Sequence, residues 1–406
     1  MQHTEPHVGD PIFKKNSALK KNIWRWIHSV RNIAKDIVVF FARSRSNRVV
    51  FCNYGGRGFG DNPGAIAEAL LRYCPKLDLV WLVKDKRTKV PSGIRTVSMR
   101  PLWSQMALTT AKVVVCNTKQ HLRYHKRKGA FYIQTWHGDL ALKLIEGECE
   151  DRLDPNYVKA SKVDSMRTDY VLSGSRFFTA LAKSYFWLPS RCKILEVGVP
   201  RQDFLFNITE SEIRRLKRRF FADEKVKVAI YAPTFRDSGD EDRYSINLEA
   251  VLEELENKTG TQWRMMVRMH PNAVMASSSF RFNAKIVDGT MVDDQQKLWA
   301  MSDVMITDYS STMAEMMVLK RPVFLFIPDI GRYQQCDRPL RDLYYKLPFD
   351  FCHTNAELIE AIRSFDEKAY QQKLSRFMDV DYGYFGDGHS SERVASLIVS
   401  LTESGT

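Results

Sequence analysis

The chain of 406 residues is long enough for two domains of ordinary size, and its 44% hydrophobic and 27% charged residues are typical of a soluble globular protein. The formal net charge of +13 predicts an anionic partner: nucleic acid, nucleotide phosphates or an acidic membrane surface. The seven cysteines are scattered without a CxxC pair, which argues against a disulfide framework or zinc site and for a reducing cytoplasm. No apolar run reaches the roughly 18 residues of a membrane-spanning helix, and no secretory signal is visible.

Residues 14–48 have the pattern of a basic amphipathic helix. The segment contains many lysines and arginines but a single acidic residue, Asp36. Its apolar residues recur at helical spacing from Leu19 to Phe41. Tryptophans occur at Trp24 and Trp26. A helix of this kind is typical of a membrane interface, so contact with an anionic membrane surface is expected. The alternative is an ordinary first helix packed on the domain.

The rest of the chain alternates between predicted strands and helices, which indicates mainly parallel sheets. We predict two Rossmann-like α/β domains over 48–205 and 206–385, preceded by an arm and helix over 1–47 and followed by a C-terminal helix over 386–406. The predicted strands are 49–52, 79–83, 113–116, 131–136, 170–173, 193–197, 226–231, 263–268, 304–306 and 323–327, and the predicted helices include 65–73, 101–110, 210–223, 312–319, 357–365 and 391–401.

The most informative stretch is the strand-to-helix turn at 307–311. Ligands of open α/β sheets bind beyond the carboxyl ends of the strands, where a helix start favours an anion. The hydroxyls of Thr307, Ser310 and Ser311 add donors that suit phosphate oxygens. The alternative is that Asp308 and the serines only cap the following helix.

Two histidines stand at predicted strand ends, one in each domain. His137 is followed by glycine and His270 by proline, and either ring could act as a general base or donate to phosphate. Arg236, in a third strand-end turn, could pair with phosphate through both nitrogens of its guanidinium group. Neither histidine has metal-ligand spacing, so no metal centre is predicted. The glycine-rich loop at 53–63 lacks the dinucleotide-binding spacing. Nucleic acid is disfavoured because, outside the predicted amphipathic helix, aromatic residues do not interleave the basic ones.

Four motifs, at 134–138, 231–237, 268–271 and 307–311, occur in this order, and together they resemble the CDP-glycerol glycerophosphotransferase family of bacterial wall teichoic acid synthesis. Shorter matches at 61–63, 198–203, 321–323 and 387–389 extend the resemblance over about 48–400. The resemblance implies a GT-B fold, in which two domains face across a cleft, at the cytoplasmic face of the bacterial cell membrane.

The resemblance also implies a reaction. A hydroxyl of a lipid-linked saccharide acceptor attacks the β-phosphorus of CDP-glycerol or CDP-ribitol, and CMP leaves, with glycerol phosphate favoured. His137 is the expected base and His270 the expected stabiliser of the diphosphate, with no cofactor and no metal. The expected donor-binding residues are Arg236, Arg268, Thr307, Asp308, Ser310 and Ser311, and the expected acceptor-side residues are Asn62 and Asp139.

The sequence departs from the family pattern after Gly138. Residues 139–141 are Asp-Leu-Ala where members often have Thr-Pro-Leu, which suggests a different acceptor. The length is closer to primases, which add one unit, than to polymerases. Two other classes stay open: a nucleotide-sugar glycosyltransferase on the same fold, which would release a nucleoside diphosphate, and a non-catalytic membrane-associated binding protein.

Overall fold

The computed structural model describes residues 37, 39, 41–120, 124–234, 245–269, 280–292, 294–336 and 339–403. Most of the predicted amphipathic helix, residues 14–36 with 38 and 40, therefore lies outside the described residues. Its described end is helical at Ile37, Val39 and Phe41, but residues 43–47 are not helical and a strand begins at Arg48, so the helix ends earlier than predicted. Within the described ranges, no helix is both long enough and apolar enough to cross a membrane.

The first domain is built on a parallel sheet of seven strands in the order β3-β2-β1-β4-β5-β6-β7. The central strands are short valine-rich runs buried on both faces, as a parallel sheet covered by helices requires. Its elements are β1 (Arg48–Cys52), α1 (Asp61–Tyr73), β2 (Asp78–Val83), β3 (Ile94–Ser98), α2 (Pro101–Thr110), β4 (Val113–Cys116), β5 (Phe131–Gln134), α3 (Pro155–Ser165), β6 (Tyr170–Ser173), α4 (Arg176–Tyr185) and β7 (Lys193–Glu196).

The second domain has a parallel sheet of six strands in the order β10-β9-β8-β11-β12-β13. Its elements are α5 (Asp203–Asn207), α6 (Glu210–Phe221), β8 (Lys227–Tyr231), α7 (Leu248–Thr259), β9 (Trp263–Val267), β10 (Ile286–Asp288), α8 (Gln295–Met301), β11 (Val304–Thr307), α9 (Met313–Val318), β12 (Val323–Phe326), α10 (Ile330–Cys336), β13 (Asp350–Cys352), α11 (Asn355–Ser364) and α12 (Glu367–Arg376).

The strand order reverses at one point in each sheet. The reversal lies between β1 and β4 in the first sheet and between β8 and β11 in the second. Ligands of open α/β sheets bind in the crevice at such a point, outside the carboxyl ends of the strands. The turn at 307–311 directly follows β11, and His137 follows β5, which is the neighbour of β4. The sheet order therefore directs attention to these two turns.

The chain crosses between the domains twice. It leaves the first domain through the 3₁₀ turn Pro200–Gln202 and returns through the π-helical turn Phe377–Tyr382 to the last helix, α13 (Ser390–Glu403). Helix α13 packs on the first domain, where Ile398 is buried in the same cluster as Leu70 of α1. The carboxylate of Asp203 accepts hydrogen bonds from the Ser390 backbone N–H (3.0 Å) and the Ser391 hydroxyl (2.6 Å). The two crossings are therefore tied to each other.

The loop after His137 packs against the second domain. Leu140 and Leu142 belong to the same buried cluster as Met313 of the second domain. Arg341 continues this contact, because its backbone N–H donates to the carbonyl oxygen of Leu142 (2.9 Å) and its Nε to that of Ala141 (2.7 Å). The residues that follow the candidate base are thus part of the contact between the domains.

Candidate active site

The ring of His137 is half-buried, and one of its nitrogens is committed to the backbone. Its Nδ1 lies 2.9 Å from the carbonyl oxygen of Asn117, which follows β4. Because a carbonyl can only accept, Nδ1 bears the hydrogen, and in the neutral ring Nε2 has the lone pair. Asn117 is itself fixed, because its amide oxygen accepts from the Tyr54 backbone N–H (2.8 Å) and its amide nitrogen donates to the side chain of Asn53 (2.8 Å).

The turn that presents His137 is held in an unusual backbone conformation. Trp136 has a φ of 51°, in the left-handed region, where a non-glycine residue costs roughly 1–3 kcal/mol. The buried side chain of Asn62 donates to the carbonyl oxygens of Trp136 (3.0 Å) and Thr135 (3.3 Å), which fixes this conformation. Aromatic rings pack against the histidine, with centroid distances of 4.6 Å to Trp136 and 5.6 Å to Tyr54. The structure thus places Asn62 behind the base; a direct contact with acceptor stays a prediction.

Asp139 is buried and its carboxylate is engaged by three donors. It accepts hydrogen bonds from the Gly174 N–H (2.7 Å), the Ser175 hydroxyl (2.8 Å) and the Tyr382 hydroxyl (2.7 Å). Burial raises the pKa of this carboxyl, although the three hydrogen bonds act in the opposite direction. Because Tyr382 lies on the segment that returns from the second domain, Asp139 fastens that segment to the His137 turn. Its place on the acceptor side stays a prediction.

Asp308, in the turn after β11, has a comparable structural task within the second domain. Its carboxylate accepts from the backbone N–H of Thr234 (2.9 Å) and from the Thr234 hydroxyl (2.7 Å), and so joins the turns that follow β8 and β11. Thr307 is buried, and its hydroxyl donates to the carbonyl oxygen of Ala232 (2.7 Å). The residue before α9, Thr312, accepts no capping hydrogen bond with its own side chain, but its backbone N–H donates to the Ser310 hydroxyl (3.4 Å). Asp308 thus links two turns, and for Ser310 capping of the helix start stays an alternative to phosphate binding.

Ser310 and Ser311 are half-buried, and Ser311 lies at the contact between the domains. The Ser310 hydroxyl is 2.8 Å from that of Thr312. A Cβ atom built on Gly138 would lie 3.7 Å from Oγ of Ser311. Since Gly138 directly follows His137, the two turns chosen from the sequence meet at one place.

The other predicted donor-side residues have different fates. Arg268 is buried, and its Nη1 donates to the carbonyl oxygens of Gly289 (2.7 Å) and Val292 (2.8 Å), so it anchors the loop after β10. Arg236 and His270 lie outside the described residues. The donor-binding roles of all three stay predictions.

A charged cluster beside His137 was missing from the predicted site. Arg201, in the first crossing, donates from Nε to Oε1 of Glu315 on α9 (2.8 Å), and its Nη1 lies 3.6 Å from Oδ1 of Asp61. The Tyr54 hydroxyl donates to the other oxygen of Asp61 (2.9 Å). Burial alone would lower the pKa of Arg201, but the carboxylates of Glu315 and Asp61 outweigh it and raise that pKa, so the guanidinium stays charged. One signal was present in the sequence: Glu315 is a single acid within an otherwise apolar helix.

A small cavity brings these groups together. Its wall includes His137, Gly138, Asn62 and Arg201, together with residues 198–200. Among the described residues, no group of three or more histidine, cysteine or acidic side chains is arranged to hold a metal ion. The chemistry available in this part of the site is a base with a fixed tautomer, a charged guanidinium and several hydroxyl groups.

Comparisons with known proteins agree on one family. A family model described as CDP-Glycerol:Poly(glycerophosphate) glycerophosphotransferase matches residues 35–400. The chain is 29% identical over 368 residues to a teichoic acid poly(glycerol phosphate) polymerase of Staphylococcus epidermidis, covering 86% of this chain but only 50% of that protein. It is 30% identical over 374 residues to a teichoic acid glycerol-phosphate transferase of Staphylococcus aureus, covering 87% and 92%. It is 27% identical over 407 residues to a teichoic acid ribitol-phosphate primase of Bacillus spizizenii, covering 95% and 100%.

Solved structures show the same architecture. A variant of the wall teichoic acid polymerase TagF superposes with a TM-score of 0.80 at 26% identity, covering 95% of this chain and 98% of that one. A TagF variant soaked with CDPG gives a TM-score of 0.78. The predicted fold class, two Rossmann-like domains facing across a cleft in the GT-B manner, is therefore confirmed.

Proposed function

The chain belongs to the CDP-glycerol:poly(glycerophosphate) glycerophosphotransferase family, and we propose from that membership that it transfers glycerol phosphate from CDP-glycerol to a hydroxyl of a membrane lipid-linked acceptor, releasing CMP. The product would belong to teichoic acid or a related cell-surface polymer. CDP-ribitol is the second donor to test, because the ribitol-phosphate primase is similar along its whole length.

The observation that carries this proposal is the meeting of the two turns. His137 offers Nε2 as a proton acceptor because its Nδ1 is held by the carbonyl oxygen of Asn117. The neighbouring Gly138 lies against Ser311 of the second domain. A base from one domain and hydroxyl donors from the other are then available to a single reacting centre.

The proposed reaction needs the protein mainly to position and neutralise the reacting groups. The acceptor oxygen forms a bond to the β-phosphorus, its proton passes to Nε2 of His137, and the bond from the β-phosphorus to the bridging oxygen breaks. CMP leaves with that oxygen. The protonated imidazole then returns its proton to solvent or to the leaving group.

On the donor side, the structure supports a division of labour. The side chains of Thr307 and Asp308 form hydrogen bonds with the turn that follows β8 and so stabilise the backbone. Ser310 and Ser311 are the proposed donors to the diphosphate, because both are half-buried and Ser311 lies next to Gly138 of the first domain. His270 and Arg236 remain proposed partners of the diphosphate, whereas Arg268 would act by holding the loop after β10.

Product analysis tests the proposed function. The full chain is incubated with CDP-glycerol or CDP-ribitol and an acceptor on lipid vesicles, and the released nucleotide is identified. Release of CMP supports the proposal, and His137→Ala should abolish it. His353→Ala, an exposed histidine that follows β13, is the matched control and should behave as wild type. Release of a nucleoside diphosphate from a nucleotide sugar would establish a glycosyltransferase instead, and no turnover with any donor would favour a binding protein.

We also propose that the protein works at the cytoplasmic face of the membrane. The predicted helix over 14–48 would place its basic face on anionic lipid, each basic residue contributing about 1 kcal/mol. The described end of this segment includes the strongly exposed Phe41, and its Arg43 and Arg45 line a groove with Met106 of α2, the helix that also carries the exposed Trp103. Binding to anionic vesicles should therefore fall with added salt and be lost when residues 14–41 are deleted, with zwitterionic vesicles as the control. Unchanged sedimentation of the deletion variant would place the membrane contact elsewhere.

A further inference from the structure

Two buried polar atoms in the Arg201 cluster lack a hydrogen-bond partner. They are Nη1 of Arg201 and Oε2 of Glu315. The first is 3.6 Å from Oδ1 of Asp61, which is too long for a direct hydrogen bond. Leaving buried charged groups unsatisfied costs free energy, so such atoms usually have a water or ligand partner.

The charges of the cluster determine what that partner is. One guanidinium, on Arg201, stands between two carboxylates, those of Asp61 and Glu315. A phosphate or other anion would be repelled by the excess of negative charge. A hydroxyl group lying beside this pair suits the charges, because it can accept from Nη1 of Arg201 and donate to the Asp61 carboxylate at the same time.

The pair of Arg201 and Asp61 belongs to the same site as the candidate base. Arg201 and His137 line one cavity. Asn62 connects them, because its amide oxygen accepts from the Arg201 backbone N–H (3.1 Å) and its amide nitrogen donates to the carbonyl oxygen of Trp136 (3.0 Å). Tyr54 provides a second connection. Its ring packs against His137, and its hydroxyl donates to Asp61 (2.9 Å), the carboxylate next to Arg201.

We propose that Arg201 and Asp61 bind a second hydroxyl of the acceptor, adjacent to the hydroxyl that attacks. The acceptor would therefore end in a 1,2-diol, supplied by a polyol phosphate or by a sugar ring. Glu315 is a positioning residue, because it holds Nε of Arg201 and so directs Nη1 toward Asp61. This inference rests on the proposed transfer to a hydroxyl acceptor.

The test compares acceptors with and without the second hydroxyl. Soluble acceptor analogues ending in glycerol phosphate or in a hexosamine are each paired with a deoxy analogue that lacks only the adjacent hydroxyl. With CDP-glycerol as donor, wild-type kcat/KM should favour at least one diol over its partner by on the order of 10- to 100-fold. Whichever pair shows the preference identifies the source of the diol.

Variants then assign the preference to residues. Arg201→Lys removes the forked donor, and Asp61→Asn removes the charge while keeping a residue that tolerates its φ of 52°. Each should reduce the diol preference toward one, whereas a merely structural change would lower both members of a pair equally. Arg341→Lys is the matched control, since Arg341 pairs with Glu148 in another buried contact between the domains and should leave the preference intact.

Several results would overturn the inference. A wild-type preference near one for both acceptor pairs does so even if CMP is released, and that result needs no variant to fold. Equal loss of the preference in Arg341→Lys would show a general effect of the domain contact. If removing a hydroxyl from the glycerol of CDP-glycerol abolishes the preference, Arg201 and Asp61 contact the donor substrate and not the acceptor, and the inference is wrong.

Failure of the proposed function is visible separately, as absence of CMP release from wild type. The inference is then judged by calorimetric titration of the same acceptor pairs. A tighter Kd for the diol that is lost in Arg201→Lys supports it, and equal Kd values within both pairs overturn it.

Discussion

The turns that end at Asp139 and begin at Thr307 are built alike and differ in what they hold together. Each contains a buried aspartate whose carboxylate is consumed by structural hydrogen bonds. Asp139 reaches across the domains to Tyr382, whereas Asp308 joins two turns within the second domain. In both turns the buried carboxylate fixes the backbone, and a half-buried neighbour is presented to the cleft.

The difference teaches where chemistry and where binding are to be expected. In the first turn the presented group is His137, whose tautomer is set by Asn117. In the second turn the presented groups are Ser310 and Ser311, whose hydroxyls can donate hydrogen bonds but cannot act as a general base. We therefore expect the first turn to control turnover and the second to control donor affinity.

The largest effect should come from His137→Ala. Removing a general base typically costs on the order of 10²–10⁴-fold in rate, and donor affinity should change little because the base belongs to the acceptor side. Single-turnover kinetics measure the rate, and calorimetry measures CDP-glycerol binding. A comparable loss of donor affinity would contradict the division between the turns.

The next effect should be on stability. Asp139→Ala and Asp308→Ala each leave several donors without an acceptor, and each should lose about 3 kcal/mol of stability, seen as a lower melting temperature. Asp139→Ala should slow turnover more than it weakens donor binding, and Asp308→Ala should do the reverse. Asp139→Asn, which keeps the shape, is the control and should melt closer to wild type. Identical kinetic profiles for the two alanine variants would remove the distinction.

A smaller effect is expected from Ser310→Ala and Ser311→Ala. Each loses a hydrogen bond to a charged diphosphate, worth roughly 1.5–3 kcal/mol, so the Kd for CDP-glycerol should rise about 10- to 100-fold. The melting temperature should stay near that of wild type. If calorimetry instead finds unchanged affinity and melting curves shift downward, the hydroxyls serve only the turn.

The smallest effect is a pH dependence of stability that comes from Asp139. Burial raises the pKa of Asp139 above its ordinary value, so the folded protein keeps this proton to a higher pH than the unfolded chain. Its contribution to stability should therefore be full below the ordinary pKa and decline as pH rises through the raised one. Denaturation of wild type and Asp139→Asn at several pH values measures this slope as the difference between their stabilities, because other carboxyl groups, such as that of Asp164, have raised pKa values in both proteins. A slope of the opposite sign would mean that hydrogen bonding outweighs burial.

The central strands could be predicted because a parallel sheet buries both faces. The apolar runs at 113–116 and 170–173 coincide with β4 and β6. The sequence does not reveal β3, whose middle residues Arg95 and Thr96 are exposed at the edge of the sheet, so no apolar run marks it. Strand β10 has only three residues and gives too little pattern to detect.

The sequence indicates the two turns of the candidate site, but it does not indicate the distant residues that hold those turns in place. His137 and the serines stand at strand ends, which local sequence reveals. The partner of Asp139 is Tyr382, 243 residues further along the chain, and Arg201 meets Glu315 across 114 residues. Such pairs follow from the docking of the domains, and no local spacing encodes them.

The double crossing has a mechanical consequence. Two domains connected by a single segment of chain can rotate relative to each other in many directions. Two domains connected by two segments can rotate mainly about the line that joins those segments. Here both segments are clasped at Asp203, whose carboxylate holds Ser390 and Ser391. We expect this clasp to lie close to the axis of any rotation of one domain relative to the other. Opening of the cleft would then carry Ser311 away from Gly138 along an arc, and closure would return the two turns to the same register on every cycle.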